Sequence, residues 1–474
     1  MRKKSLLLGA FLVVVLAGLA SLLPFRSGNA RMAANKEGAA ENYARYCAGC
    51  HGDRLEKFTA KAWMDEEGTA SVVRSITYGI EELGMPAFRK TFTDKEIEFL
   101  AAYVKAGIPA DRGVLKPAST PGEIVGSEVQ RFVVDTVVSG LKVPWGLAFL
   151  PGGDLLISER EGILYLFSEG KLSAPISGLP PVMAAGQGGL LDLCLHPDYD
   201  QNGWIYLSYS YLETEKPKRT GNTAIMRARL EGNRLVDQEV IFKGMPATDR
   251  SHHFGCKLAF DRENRLYFGI GDRGQHFVFP QELGNHNGKI HRINDDGSIP
   301  ADNPFTGRPG AMGSIWSYGH RNPQGNCFHP ETGELWESEH GPRGGDELNL
   351  VLPGKNYGWP VISYGINYDG TVLTELTQKE GLEQPSFYWT PSIAPCGMTF
   401  LKGDRYENWK NNLFVGSLRF QYVERVELKG HEVVHREKLL EGIGRVRNVV
   451  ESPDGLLYVA IETPGKIVRL VPVK

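Results

Sequence analysis

The sequence predicts a mainly β chain: a six-bladed β-propeller preceded by a small all-α domain and an apolar N-terminal segment. Three observations predict it. Six hairpin units share one grammar between residue 131 and the end. A Cys-X-X-Cys-His motif sits in a short helical region before them. Composition supports the β reading: 56 glycines, 28 prolines, 18 tyrosines and 8 tryptophans in 474 residues suit turns and strands better than a helical bundle. The net charge of −3 argues against a nucleic-acid partner, which usually requires a basic face.

The chain begins with Arg2, Lys3 and Lys4, then an apolar run from Leu6 to Leu23. A basic region followed by an apolar one is an export signal. Gly28 and Ala30 would frame a cleavage site, and the run is also long enough to serve as an uncleaved membrane anchor over residues 1–30. Both readings put the remainder in the periplasm or on the outer face of the cytoplasmic membrane.

Residues 45–53 read RYCAGCHGD. Cys47 and Cys50, two residues apart, with His51 directly after, form the attachment site of a c-type haem. A thioredoxin-type pair or a zinc site would share the cysteines but does not explain the histidine behind an export signal. His51 is the expected iron ligand. The sixth ligand would be a thioether, from Met64 or Met85. Met85 is preferred, because GIEELGMPAF is an extended loop able to cross a haem face, whereas Met64 lies in a charged stretch. A closing helix follows. Thr93 and Glu96 form a capping box, Ile97, Leu100, Ala101 and Val104 one apolar stripe, and Gly107 with Pro109 a stop. Residues 36–110 resemble a class I cytochrome c domain. Residues 111–130, rich in proline, glycine and small polar residues, read as a linker.

From residue 131 to 474, each repeat is an apolar strand, a turn rich in proline, aspartate and glycine, and a second apolar strand. The first strands are anchored by Phe149, Leu195, Phe260, Phe328, Phe400 and Val450. The gaps between anchors are 46, 65, 68, 72 and 50 residues, each enough for a four-stranded blade with loops. A β-sandwich could hold such hairpins, but six regular units favour the propeller. RFVVDTV at the start and GKIVRLVPV at the end would share one blade and close the ring. Cys194, Cys256, Cys327 and Cys396 fall among these strands, where they read as small buried residues or as one or two disulfides.

Polar clusters interrupt the repeat at loop positions. Arginine recurs in them, as Arg321, Arg343, Arg419, Arg445 and Arg447. Arg445 and Arg447 are two apart and would share one face of a strand. Converging guanidiniums suit a ligand with several carboxylates. EHGPRGGDE has a Gly-Pro turn followed by Asp346 and Glu347, which reads equally as a calcium site or as a charged turn. His252 and His253 would face opposite ways on a strand, so they are poor joint metal ligands. One of them would serve as a general base or as a hydrogen-bonded structural histidine.

GQGGLLDLCLHPDY, HHFGCKLAF with GIGDRG, SYGHRNPQG, EHGPRGGDELNL with GKNYGWP, and RVRNVVESPDG together resemble the soluble quinoprotein sugar dehydrogenases of the glucose/sorbosone dehydrogenase family, over residues 140–460. The resemblance implies pyrroloquinoline quinone (PQQ) and calcium as cofactors beside the haem, and an aldose as substrate. It implies that His253 takes the proton of the anomeric hydroxyl and that Gln187 contacts cofactor and substrate. Arg321 and Asn322 would lie at the quinone oxygens, Arg445 and Arg447 would clamp its carboxylates, and Arg419 would be a further cofactor-binding position. Gly341 and Pro342 would give carbonyl oxygens to a catalytic calcium, and Asp346, Glu347 and Tyr357 would hold a second calcium. Trp389, in FYWTPSIAP, would wall the substrate. His252 stands where glucose-type members have Asp, and Arg419 where they have Lys, which points to the broader aldose-dehydrogenase branch. The implied route runs from sugar to quinone to haem, then to a downstream cytochrome or terminal oxidase. The competing readings are a calcium-dependent propeller hydrolase such as a lactonase, and a non-catalytic propeller that docks a cytochrome to a partner.

Overall fold

The computed structural model describes residues 36–47, 69–80, 85–106, 123–213 and 219–473. The export segment, Cys50, His51 and Met64 lie outside them. The N-terminal part is helical: Lys36–Asn42 continuing into a π-helical turn, Tyr43–Cys47, then Thr69–Tyr78 and Asp94–Ala106. The capping box forms as expected, with Thr93 N–H donating to Glu96 Oε2 at 2.8 Å and Glu96 N–H donating to Thr93 Oγ1 at 3.4 Å. The stripe Ile97, Leu100, Ala101 and Val104 is buried against Tyr43, Val72, Ile76, Phe88 and Phe92. Cys47 and Met85 are half-buried on this core. Met85 is pinned by a reciprocal backbone pair with Ile80, at 2.9 and 3.0 Å. Among the described residues no helix is long and apolar enough to cross a membrane.

The remainder folds into six antiparallel sheets, five of four strands and one of five. The innermost strands are Pro144–Phe149, Leu190–Leu195, Leu258–Phe260, Pro323–Phe328, Pro395–Phe400 and Val446–Glu451, and each packs on the next around a ring. Blades are numbered 1 to 6 in that order. The six anchors sit at or beside the last residue of these strands. Blade 6 is closed by Arg131–Ser139 pairing with Lys466–Pro472, in register from Phe132 opposite Pro472 to Ser139 opposite Lys466.

Two sequence expectations change. The stretch read as linker contains a strand, Ile124–Gly126, which pairs with Arg131–Val133 at the edge of blade 6. Glu128 ties this edge to blade 5, because its carboxylate meets the His435 ring at 2.5 Å and its N–H donates to Glu437 Oε1 at 2.6 Å. Proline and glycine weaken a central strand but are tolerated at a sheet edge. The disulfide alternative also falls away: Cys194, Cys256, Cys327 and Cys396 are all free thiols. Burial raises the Cys327 and Cys396 thiols to about 12, and Cys396 Sγ lies 2.7 Å from the Val446 carbonyl.

Between blades the core is aliphatic and aromatic. At the closure, Phe132 is fully buried, with its ring 5.5 Å from that of Trp409. Phe132→Ala should lower unfolding stability by about 3–5 kcal/mol in urea titration, because the ring closure cannot collapse onto the cavity left behind.

Candidate functional site

The innermost strands all start at one mouth of the ring, and the second strands of the blades end there. Residues distant in sequence therefore converge on it. A cavity of about 140 Å³ opens at this mouth. Trp145, Gln187, His253, Gln324, Ala394 and Arg447 reach it from the starts of the six innermost strands or the loops just before them. Arg160, Gly341, Pro342, Arg343, Arg419 and Glu462 reach it from the loops after second strands.

His253 lies in a loop and not on a strand, with φ +58°. Such a left-handed conformation costs about 1–3 kcal/mol in a non-glycine residue and must be held by its surroundings. Here Gln187 Oε1 accepts the His253 N–H at 2.8 Å, while Gln187 N–H donates to Ser251 O at 2.8 Å. Gly271 permits the close approach, since a Cβ there would lie 2.5 Å from the His253 carbonyl oxygen. His253 Nδ1 is 2.6 Å from Asp272 Oδ1. Asp272 is fixed in turn by Trp359 Nε1–H, which donates to Oδ2 at 2.8 Å, and by Gly274 N–H, which donates to Oδ1 at 2.8 Å. Burial alone would raise the Asp272 carboxyl, but His253, Arg321 and these hydrogen bonds outweigh it and keep it ionised. Burial depresses the His253 imidazole below its usual 6.5, and Arg321 adds to this against the pull of Asp272. His253 is thus a neutral imidazole whose Nδ1–H is committed to Asp272, leaving Nε2 as its basic nitrogen. His252 is set perpendicular to it, with ring centroids 4.6 Å apart. Burial and His253 lower His252 to about 2.

Six guanidiniums line the cavity (Arg160, Arg321, Arg343, Arg419, Arg445 and Arg447) against two carboxylates, Asp346 and Glu462. Burial raises Asp346 to about 6, against the opposing pull of its hydrogen bonds and of Arg321. Arg445 Nε donates to Glu462 Oε2 at 3.0 Å, and Arg447 Nε to Oε1 at 2.8 Å. Glu462 thereby holds both arginines in register, and Arg447 stacks on Trp145 at 3.8 Å. Arg321 Nη1 donates to His340 O at 2.9 Å, and Arg419 Nη1 to Ser392 O at 3.2 Å. Asn322 lies fully buried behind the lining. Among the described residues, Arg419 Nε and Asn322 Nδ2 are buried without a hydrogen-bond partner. Buried donors left unpaired cost free energy. A positive cavity with spare donors therefore fits a polycarboxylate.

Gly341 and Pro342 lie in the lining. Gly341 N–H donates to Asp346 Oδ1 and Ala394 N–H to Asp346 Oδ2, at 2.9 and 2.8 Å. Asp346 therefore faces the cavity and braces the Gly-Pro turn. Its neighbour Glu347 points the other way, because adjacent strand residues alternate. The structure thus does not bring Asp346, Glu347 and Tyr357 together. Glu347 instead shares Asn349 with Glu337 and Glu339, and the Tyr357 hydroxyl donates to Leu350 O at 2.5 Å. His320, Glu337 and Glu339 place one ligand atom each within 4.8 Å of one another. Trp389 is a second correction. It is 3% exposed in the core between blades 4 and 5, with Nε1–H donating to Glu424 at 2.6 Å, and does not line the cavity. Tyr368, Ser392 and Arg343 wall that side.

Asp272, Glu462, Trp145 and Tyr46 are site residues that the sequence reading did not single out. Asp272 and Glu462 both lie just after the second strands of their blades, Arg265–Ile270 and Leu457–Ile461, so they sit at nearly the same point of the repeat. That equivalence is a signal in the repeat. Tyr46, from the helical part, carried no such signal.

Residues 141–469 match the Glucose / Sorbosone dehydrogenase family, and residues 34–104 match the family described as Cytochrome C oxidase, cbb3-type, subunit III. The chain is 42% identical over 347 residues to the aldose sugar dehydrogenase YliI of Escherichia coli K12, covering 72% of this chain and 92% of that protein. It superposes on the crystal structure of the soluble aldose sugar dehydrogenase of Escherichia coli in its apo form with a TM-score of 0.69 at 40% identity, over 72% of this chain and all of that one. It also resembles the PQQ-bound aldose sugar dehydrogenase of Streptomyces coelicolor, with a TM-score of 0.60 at 29% identity, over 72% of this chain and 98% of that one. The six-bladed propeller, its one arginine-rich mouth and these matches agree: the chain belongs to the glucose/sorbosone dehydrogenase family and carries a cytochrome c-type domain at its N-terminal side.

Proposed function

We propose that this protein oxidises the anomeric carbon of an aldose to the lactone, with PQQ and calcium in the propeller and the electrons leaving through haem c to a respiratory acceptor. The observation that carries the reading is His253, held by Asp272 at 2.6 Å, on the wall of a cavity lined by six arginines. When bound, the quinone supplies a two-electron acceptor, calcium a Lewis acid and haem c a one-electron carrier. Arg321, Arg419, Arg445 and Arg447 would hold the quinone's oxygens and carboxylates by charge-assisted hydrogen bonds. Among the described residues, Arg419 Nε is an unpaired donor of a lining residue, and Asn322 Nδ2 is another that lies just behind the wall. The carbonyl oxygens of Gly341 and Pro342 would serve calcium, which takes hard oxygen ligands. His253 Nε2 would accept the proton of the anomeric hydroxyl as the C–H hydrogen departs as hydride. Asp272 would stabilise the imidazolium so formed, and Gln187 would keep the His253 backbone in place. The basic and apolar N-terminus supports action in the periplasm or on the outer face of the cytoplasmic membrane.

The direct test uses oxidised, haem-loaded protein kept anaerobic. Calcium, quinone and a panel of aldoses are added, and the haem α-band is followed. Reduction that requires all three is the expected result, and absence of any quinone binding would remove the proposal. His253→Ala should lower kcat by about 10²–10⁴-fold while quinone affinity is retained, as expected for loss of a general base. The pH profile follows from the pKa directions. The base works when neutral, so kcat/KM should stay level through neutrality and fall only as acid protonates His253, below its ordinary 6.5. Asp272→Asn removes a charge that favours the imidazolium, so this acid limb should move to still lower pH while kcat drops. Arg419→Ala should weaken quinone binding by about 10- to 100-fold in titration calorimetry, the worth of a charged hydrogen bond.

A further inference from the structure

The propeller cavity is not walled by the propeller alone. Tyr46, which immediately precedes Cys47, is part of its lining. The Arg343 guanidinium lies 4.5 Å from the centre of the Tyr46 ring. Gly370 borders the same ring, since a Cβ there would stand at ordinary contact distance from Arg343 Nη1 and the Tyr46 ring, 3.7 and 3.8 Å. A second contact lies outside the cavity, where Thr91 Oγ1–H donates to Asp369 O at 3.1 Å. On the helical side, Tyr46 packs edge-on against Phe92 and Phe88, with ring centroids 5.0 and 6.3 Å apart. Tyr46 packs with Phe88 and Phe92 in the core that also holds Met85, and Thr91 is tied to it by its N–H, which donates to Phe88 O at 2.9 Å. On the propeller side, Arg343 and Ile366 exchange backbone hydrogen bonds at 2.9 and 3.1 Å. The turn Asn367–Thr371 is thereby tied to the Gly341–Gly345 loop that carries the carbonyls assigned to calcium. The contact thus links the segment of Cys47 and Met85 to the loop at the reacting end of the cavity.

We propose that Tyr46 and Arg343 form an intramolecular docking site that positions the haem-bearing helix at the mouth of the sugar-oxidising cavity, so that electrons leave across this contact. The inference rests on the dehydrogenase reading given above. Each aldose releases two electrons and two protons on becoming a lactone. Electrons leave through one haem singly, so ferric haem must be regenerated twice per sugar by an external one-electron acceptor such as ferricyanide. A covalent tether supplies only a high local concentration of the two parts. The guanidinium–ring contact adds orientation. Both residues are positioning residues, and their removal should shift the docked-to-undocked ratio by about 2- to 30-fold, the range of a cation–π contact from exposed to desolvated.

The test uses the full-length, haem-loaded protein and three variants. Arg343→Ala removes the cation, Arg343→Lys keeps it, and Thr91→Trp disrupts docking from outside the cavity. Hydroxyl-radical footprinting of Tyr46, without quinone or sugar, reads docking itself. Stopped-flow reduction of the haem by aldose in reconstituted protein reads electron exit. Reduction of dichlorophenolindophenol, a two-electron dye, reads sugar oxidation independently of the haem. Arg343→Ala and Thr91→Trp should expose Tyr46 and slow haem reduction by about 2- to 30-fold, with Arg343→Lys between them and the native protein. Thr91→Trp should leave dye reduction at the native rate. Unchanged Tyr46 labelling, or dye reduction that falls as far as haem reduction in Thr91→Trp, overturns the docking site. Arg343-dependent protection of Tyr46 in a reconstituted protein whose haem no aldose reduces upholds the contact, and overturns instead the dehydrogenase reading beneath the electron path.

Discussion

Pairing of Arg131–Ser139 with Lys466–Pro472 is the constraint on which the rest of the molecule depends. It joins the first long strand to the last within one blade and removes two free sheet edges. A closed ring forces the six innermost strands to converge, and the loops at one mouth then meet. No pair of neighbouring blades could assemble the cavity, because it takes residues from all six. The short strand Ile124–Gly126 and Glu128 extend this closure toward the helical part, so the segment before the propeller is built into its seam.

The cavity stores its chemistry as unequal charge. Guanidiniums outnumber carboxylates, and the carboxylates present are occupied: Glu462 aligns Arg445 and Arg447, and Asp346 braces the Gly341–Pro342 turn. Asp272 sits just behind the wall, where it pairs with His253 and is itself held by Trp359 and Gly274. This division keeps the one basic nitrogen neutral beside a strongly positive surface. Burial opposes protonation of His253, Arg321 adds to that, and Asp272 stabilises the cation that proton uptake creates. The left-handed backbone of His253, held by Gln187, is the local cost of aiming the ring into the cavity.

Under the dehydrogenase reading proposed above, electron exit would pose a different demand from sugar oxidation: the site would have to exclude water from the reacting carbon and still offer a path to a one-electron carrier. The proposed seating of Tyr46 over Arg343, with Thr91 and Asp369 as a second contact, would serve both.

Several features were legible in the sequence because they depend on local or periodic signals. Strand–turn–strand spacing marked six blades, and the six anchors fell at the ends of the innermost strands. The apolar stripe and capping box marked the helix Asp94–Ala106. The family motifs marked His253, Gln187, Arg321, Arg419, Arg445, Arg447, Gly341 and Pro342, all of which line one cavity. Other features required the tertiary structure. Trp389 carries the same motif-level signal as these residues, yet packing between blades buries it, because which face of a strand meets the core is set by its neighbours. Asp346 and Glu347 are adjacent in sequence but separated by strand alternation, so a shared ligand set could not form. Asp272, Glu462 and Tyr46 lie 19, 15 and 297 residues from His253, Arg447 and Arg343 respectively. Sequence alone determined which residue types recur at each turn of the repeat. Ring closure and the seating of the helical part decided which of them meet, because convergence at a propeller mouth is a property of the closed assembly and of no single segment.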